Sequence, residues 1–119
     1  MPQLQESVQA TTYVPPKPPT LLEQINNPTL YAIATCESNL TQFVNGKVLV
    51  SRTSDKGIFQ INWVHWQEAT GLGFNLNTLD GNIKFAKYLY AKNGTSDWRP
   101  SRGCWKPKIA SLSNSGRPS

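Results

Sequence analysis

Residues 36–62 read CESNLTQFVNGKVLVSRTSDKGIFQIN. The stretch changes period partway through. Just before it and into its first residues, Leu30, Ile33, Ala34 and Glu37 fall on one helical stripe. Further along, Gln42-Phe43-Val44 and Lys47-Val48-Leu49-Val50 flank Asn45-Gly46. Asn-Gly tolerates positive φ at both central positions of a type I′ turn, so residues 42–50 are expected to form a hairpin. Ile58-Phe59-Gln60-Ile61 reads as a third short strand. A helix followed at once by a small antiparallel sheet predicts an α+β domain, mostly helical.

Outward from this centre, Thr20 is placed to cap a short helix beginning at Leu21-Leu22, with Glu23 at its favourable N-terminal end. Asn27 and Pro28 break that helix and Pro28 starts the next, since a first helical turn does not need its N–H. After the sheet, Asn62 is expected to cap a helix from Trp63 to Ala69 that Gly71 and Gly73 end. Another helix starts at Asp80, with Ile83, Ala86, Lys87 and Tyr90 on one face, and stops at Gly94. The stretch from Trp98 to Trp105 reads as a loop with aromatic anchors. Residues 1–19, ending in Tyr13-Val14-Pro15-Pro16-Lys17-Pro18-Pro19, are expected to be a tail or linker. Residues 113–119 are expected to be a frayed tail, leaving 20–112 as the one domain.

A chain of 119 residues with 38% hydrophobic and 16% charged residues has the material for one packed domain and is not a disordered composition. The net charge of +5 favours an anionic partner. Lys and Arg are scattered, and the densest group, Arg99, Arg102, Lys106 and Lys108, comes with no nucleic-acid-binding motif, so no nucleic-acid partner is expected. No apolar run is long enough to span a membrane. No export signal is visible. His65 is the sole histidine and no CxxC pair exists, so neither metal nor cofactor is expected. Cys36 and Cys104 either close a long loop, which requires an oxidising compartment, or are two buried free thiols.

Glu37 and Asp55 lie 18 residues apart. Breaking a glycosidic bond needs a proton donor for the leaving oxygen and an anion for the oxocarbenium-like sugar. Two carboxyls supply both when their surroundings push their pKa values apart. Apolar neighbours and a helix C-terminus both favour neutral Glu37. Arg52, Thr53, Ser54 and Lys56 offer hydrogen bonds and positive charge to ionised Asp55. Acids at helix ends and turns are also common as plain surface charges, and the residue pattern alone leaves both readings open.

The segment resembles the active-site region of the C-type lysozymes and the wider lysozyme-like superfamily. There a Glu-Ser-Asn closes a helix and an Asp stands two residues before Gly-Ile-x-Gln-Ile-Asn. Here Glu37-Ser38-Asn39 precedes Asp55-Lys56-Gly57-Ile58-Phe59-Gln60-Ile61-Asn62. Asn82-Ile83 with Tyr88-Leu89 is similar to the third motif of soluble lytic transglycosylases. Cys36 before Glu37, with a late Trp and Cys, is similar to resuscitation-promoting factors, in which such cysteines are bridged. The resemblance covers about residues 20–105. The chain has two cysteines where animal C-type lysozymes have a larger set, and it lacks the late Ala-Tyr-Asn of lytic transglycosylases, so the likeness is to the superfamily rather than to one branch.

The resemblance implies a secreted or extracytoplasmic muramidase that acts on peptidoglycan glycan strands, the basic charge suiting an anionic wall, and a monomer is expected. It implies Glu37 as general acid, Asp55 as nucleophile or stabiliser, and a Cys36–Cys104 disulfide. Aromatics following the strand motif stack on sugars in the relatives, which gives Trp63 and Trp66 that role, Trp66 foremost, with core packing as the alternative. Gln60 and Asn62 are candidates for an N-acetyl group or for holding the hairpin, and His65 for the cleft rim. Two further readings stand beside hydrolysis: a lytic transglycosylase using Glu37 alone, and a non-catalytic domain that binds glycan or protein.

Overall fold

The computed structural model describes residues 14–115. Of the expected N-terminal tail, residues 1–13 lie outside that range. Residues 14–19 are exposed and neither helix nor strand, as a stretch with four prolines dictates. Helix α1 (Leu21–Ile25) opens on a capping box: Glu23 N–H donates to Thr20 Oγ1 at 3.2 Å, and Glu23 Oε1 accepts from Thr20 N–H at 2.8 Å. Helix α2 (Pro28–Ser38) opens on Asn27, whose Oδ1 accepts from Leu30 N–H at 3.0 Å, with Pro28 in its first turn. Its buried face is Leu30, Ala32, Ile33 and Ala34, and Asn39 ends it in the left-handed region at φ 54°.

Strands β1 (Phe43–Val44) and β2 (Lys47–Val48) pair antiparallel, with Val44 opposite Lys47. Asn45 and Gly46 have φ of 52° and 76°, the two positive values that the turn chemistry demands. A second antiparallel pair, β3 (Asp55–Lys56) and β4 (Ile61–Asn62), sets Asp55 opposite Asn62.

The third strand expected at residues 58–61 does not form: only Ile61 is in a strand, and residues 57–60 turn back on themselves. The apolar run exists because Ile58 and Phe59 are both fully buried. A buried turn must still satisfy its backbone polar groups, and side chains from elsewhere do so. Gln42 Oε1 accepts from Ile58 N–H at 2.8 Å and Asn82 Oδ1 from Phe59 N–H at 3.0 Å. Ser38 Oγ donates to the Ile58 carbonyl at 2.7 Å, and Trp98 Nε1–H to the Phe59 carbonyl at 3.0 Å.

The helix expected over residues 63–69 begins as a 3-10 turn, Trp63–His65, and becomes α3 (Trp66–Gly71). Asn62 does cap it, accepting from Val64 N–H at 3.3 Å. Helix α4 (Leu79–Asn93) is capped by Thr78 and stopped by Gly94 at φ 64°. Its buried face is Ile83, Phe85, Ala86 and Leu89. Lys87, expected on that face, is exposed, and its ammonium reaches the Gln24 carbonyl at 2.8 Å.

The loop expected from Trp98 to Trp105 is helical. A 3-10 segment, Ser96–Ser101, runs into α5 (Arg102–Ser115). Pro100 and Pro107 each sit within a helical segment. The aromatic anchors are real: Trp98 and Trp105 are core residues, and Trp105 Nε1–H donates to the Trp98 carbonyl at 3.0 Å. Residues 113–115 of the expected C-terminal tail belong to α5, and 116–119 lie outside the described residues. Cys36 and Cys104 are bonded, joining α2 to α5. The result is a mixed α and β chain, mostly helical, with two small sheets. Among the described residues no helix is long and apolar enough to cross a membrane.

Candidate active site

Glu37 lies in the last turn of α2, half-buried. Burial pushes its pKa above the usual carboxylate value; a hydrogen bond from Ser101 pulls the other way, and the negative charge of Asp55 adds to the rise. Ser101 Oγ lies 2.5 Å from Glu37 Oε2 and 3.1 Å from the Trp98 carbonyl. A hydroxyl has one proton and can also accept. With Glu37 ionised, Ser101 donates to it. With Glu37 protonated, the acid proton can point at Ser101 while the serine proton turns to Trp98. The one side chain therefore accommodates both protonation states.

Asp55 sits on β3. Burial opposes its charge, but hydrogen bonds from Thr53, Asn62 and Ser51 together outweigh that cost and hold its pKa below the ordinary value. Asn62 Nδ2 donates to Oδ1 at 2.8 Å; Ser51 Oγ donates to Oδ2 at 2.9 Å, and Thr53 Oγ1 reaches the same oxygen. The expected hydrogen bond from Thr53 is present, and the expected positive charge is not. Neither Arg52 nor Lys56 forms an ion pair with Asp55; Arg52 is exposed, and the Lys56 ammonium stands 4.2 Å from the centroid of the Trp66 ring. Neutral donors hold the charge instead.

The charge of Asp55 is felt at Glu37, and Asn62 serves Asp55 directly while its Oδ1 caps the following turn. Trp66 is anchored by a bond from Nε1–H to the Ile61 carbonyl at 2.9 Å and stays partly exposed, lining a recess with Lys56, Phe74 and Leu76. Trp63 projects outward at 60% exposure. Gln60, at φ 49°, turns its amide back to the Gly57 carbonyl at 3.0 Å and so serves the turn. His65 faces other partners: Nε2 is 3.2 Å from Asp97 Oδ1, Nδ1 is 3.8 Å from Glu68 Oε1, and its ring packs on Phe85.

Sequence reasoning missed Ser101, which falls in a segment read as loop, and Gln42, which is only 6% exposed. Asn82 belongs to a recognised motif, but its task is not legible from its neighbours in the chain. It is fully buried and binds Phe59, Lys56 and Leu76 backbone groups. Among the described residues, no three His, Cys, Asp or Glu side chains gather where a metal ion could be held. No family model, curated protein or solved structure matches the chain.

Proposed function

We propose that this chain is a lysozyme-like peptidoglycan glycosidase that cuts the β-1,4 bond between N-acetylmuramic acid and N-acetylglucosamine. The observation that carries this reading is a pair of carboxyls whose charges interact and whose pKa values move in opposite directions, Glu37 up and Asp55 down. In this reading Glu37 gives its proton to the leaving oxygen as the C1–O bond breaks. Asp55, held ionised by Ser51, Thr53 and Asn62, attacks C1 or stabilises its positive charge. Glu37, now a carboxylate taking the Ser101 bond, accepts a proton from the water whose oxygen bonds to C1, releasing the Asp55 carboxylate where it has bonded there. Trp63 and Trp66 offer faces for the apolar sides of sugar rings. The disulfide supports an extracytoplasmic site of action.

The test is a digest of purified peptidoglycan read by mass. Reducing muropeptides from the wild type and none from Glu37→Gln are expected. Anhydro ends would move the assignment to a lytic transglycosylase, in which the muramyl 6-hydroxyl replaces water. No product of either kind would leave a binding domain.

A further inference from the structure

A second concavity lies apart from the carboxylates. It encloses about 620 Å³ and is walled by the ends of α4 and the 3-10 segment, the first turn of α2 and the outer face of α5. Neither Glu37 nor Asp55 lines it. Arg99, Arg102 and Lys106 do. Their spacings of three and four residues place them along one helical face. All three are exposed, and among the described residues none forms an ion pair. No Asp or Glu lines the groove. The one carboxylate of the segment, Asp97, is engaged by His65 at 3.2 Å and by Asn93 Nδ2 at 3.0 Å.

Three uncompensated cations side by side repel one another, so an oxyanion between them is favourable, and the arginines can grip it with paired N–H donors. The remaining wall is not cationic: Tyr90, Ile109 and Ala110 present apolar surface over the buried Trp105, while Thr95 and Ser96 present hydroxyls. A phosphodiester chain or a nucleic acid backbone would use the cations and leave the apolar wall idle. A short peptide with small apolar side chains, amides and free carboxylates would use all three. We infer that this groove binds a carboxylate-bearing peptide of the kind that branches from peptidoglycan strands; the glycosidase reading supplies only the source of that peptide.

The test uses the full chain labelled with nitrogen-15 and titrated with a short peptide of alternating alanine and glutamate with a free C-terminus. The probes for comparison are the same peptide with every carboxylate amidated, and a glycerol phosphate oligomer. Expected are shifts at the Trp105 indole N–H and the Thr95 and Ser96 amides. Affinity should fall at least about tenfold on amidation, in an Arg99→Ala/Arg102→Ala variant, or at high salt. Glu37→Gln should bind like the wild type. Equal binding of the amidated peptide, shifts mapping elsewhere, or a glycerol phosphate oligomer binding as tightly would overturn the proposal. If the peptide binds as expected but peptidoglycan is not cut, the groove stands and the glycosidase reading falls.

Discussion

At the residue scale the proposed chemistry turns on Glu37, whose pKa burial raises above the ordinary carboxylate value. Glu37→Gln keeps the shape and removes the proton, so turnover should fall at least about 10²–10³-fold. Because the folded pKa of Glu37 lies above its unfolded value, the associated stability is present below the unfolded pKa and is lost as pH rises through the folded one. At neutral pH the ionised carboxylate therefore costs stability, and the melting temperature of Glu37→Gln should equal or exceed that of the wild type. Asp55 has the opposite sign: its contribution is present above its unfolded pKa and is lost as pH falls through the depressed folded value. Activity should follow a bell whose acid limb lies below the ordinary Asp value of 3.8 and whose alkaline limb lies above the ordinary Glu value of 4.5. Ser101→Ala removes the one hydrogen bond that favours ionised Glu37, so its alkaline limb should move further up. An unmoved limb, read from kcat/KM against pH, would mean that Ser101 does not act on Glu37. If Asp55 is the nucleophile or close stabiliser, Asp55→Asn should nearly match Glu37→Gln in severity; a loss of about tenfold or less, together with anhydro products, would favour the transglycosylase.

At the scale of elements, the turn at residues 57–60 carries the order that positions Asp55. Gly57 has φ 77°, and a Cβ there would stand 2.3 Å from Asn82 Nδ2 and 2.6 Å from Gln42 Oε1. Gly57→Ala therefore combines backbone strain with displacement of two buried clamps and should cost about 2–4 kcal/mol, read from the denaturant midpoint. Asn82→Ala should cost about 2–3 kcal/mol, because the Phe59 N–H loses its partner inside the core. A cost below about 0.5 kcal/mol for either would mean that the turn holds without its clamps. These clamps also explain where sequence reading stopped. Helix caps at Thr20 and Asn62, the Asn45-Gly46 turn and the stop at Gly94 are local signals, and each is legible in the sequence. Residues 58–61 read as a strand because apolar residues look alike in a strand and in a buried turn. What decides is Asn82, Gln42, Ser38 and Trp98, up to 39 residues away. The stretch from Trp98 to Trp105 reads as a loop, yet only Trp98 leaves helical geometry, at a kink of φ −115° and ψ 21°, and its ring is buried in the core. The two carboxylates were legible as residues and Ser101 was not, for the same reason.

At the scale of the whole molecule, the Cys36–Cys104 bond closes a loop with a sequence separation of 68. Constraint of the unfolded chain by a loop of that length is worth about 4 kcal/mol in the chain-entropy account. A reductant that cuts the bond should lower the melting temperature by many degrees, and two titratable thiols in untreated protein would contradict the bond. The two sulfurs also bracket the site: Glu37, Ser51, Thr53, Asp55, Asn62 and Ser101 all lie between them in the chain. The region that does the proposed work is a covalent ring, with α1 and most of α2 in the arm before it and most of α5 in the arm after it. A protease that nicks an exposed turn within that ring, such as Asn45-Gly46, opens a circle rather than cutting a line. Both carboxylates stay on one molecule, heavier by a single water, and two fragments separate only after reduction.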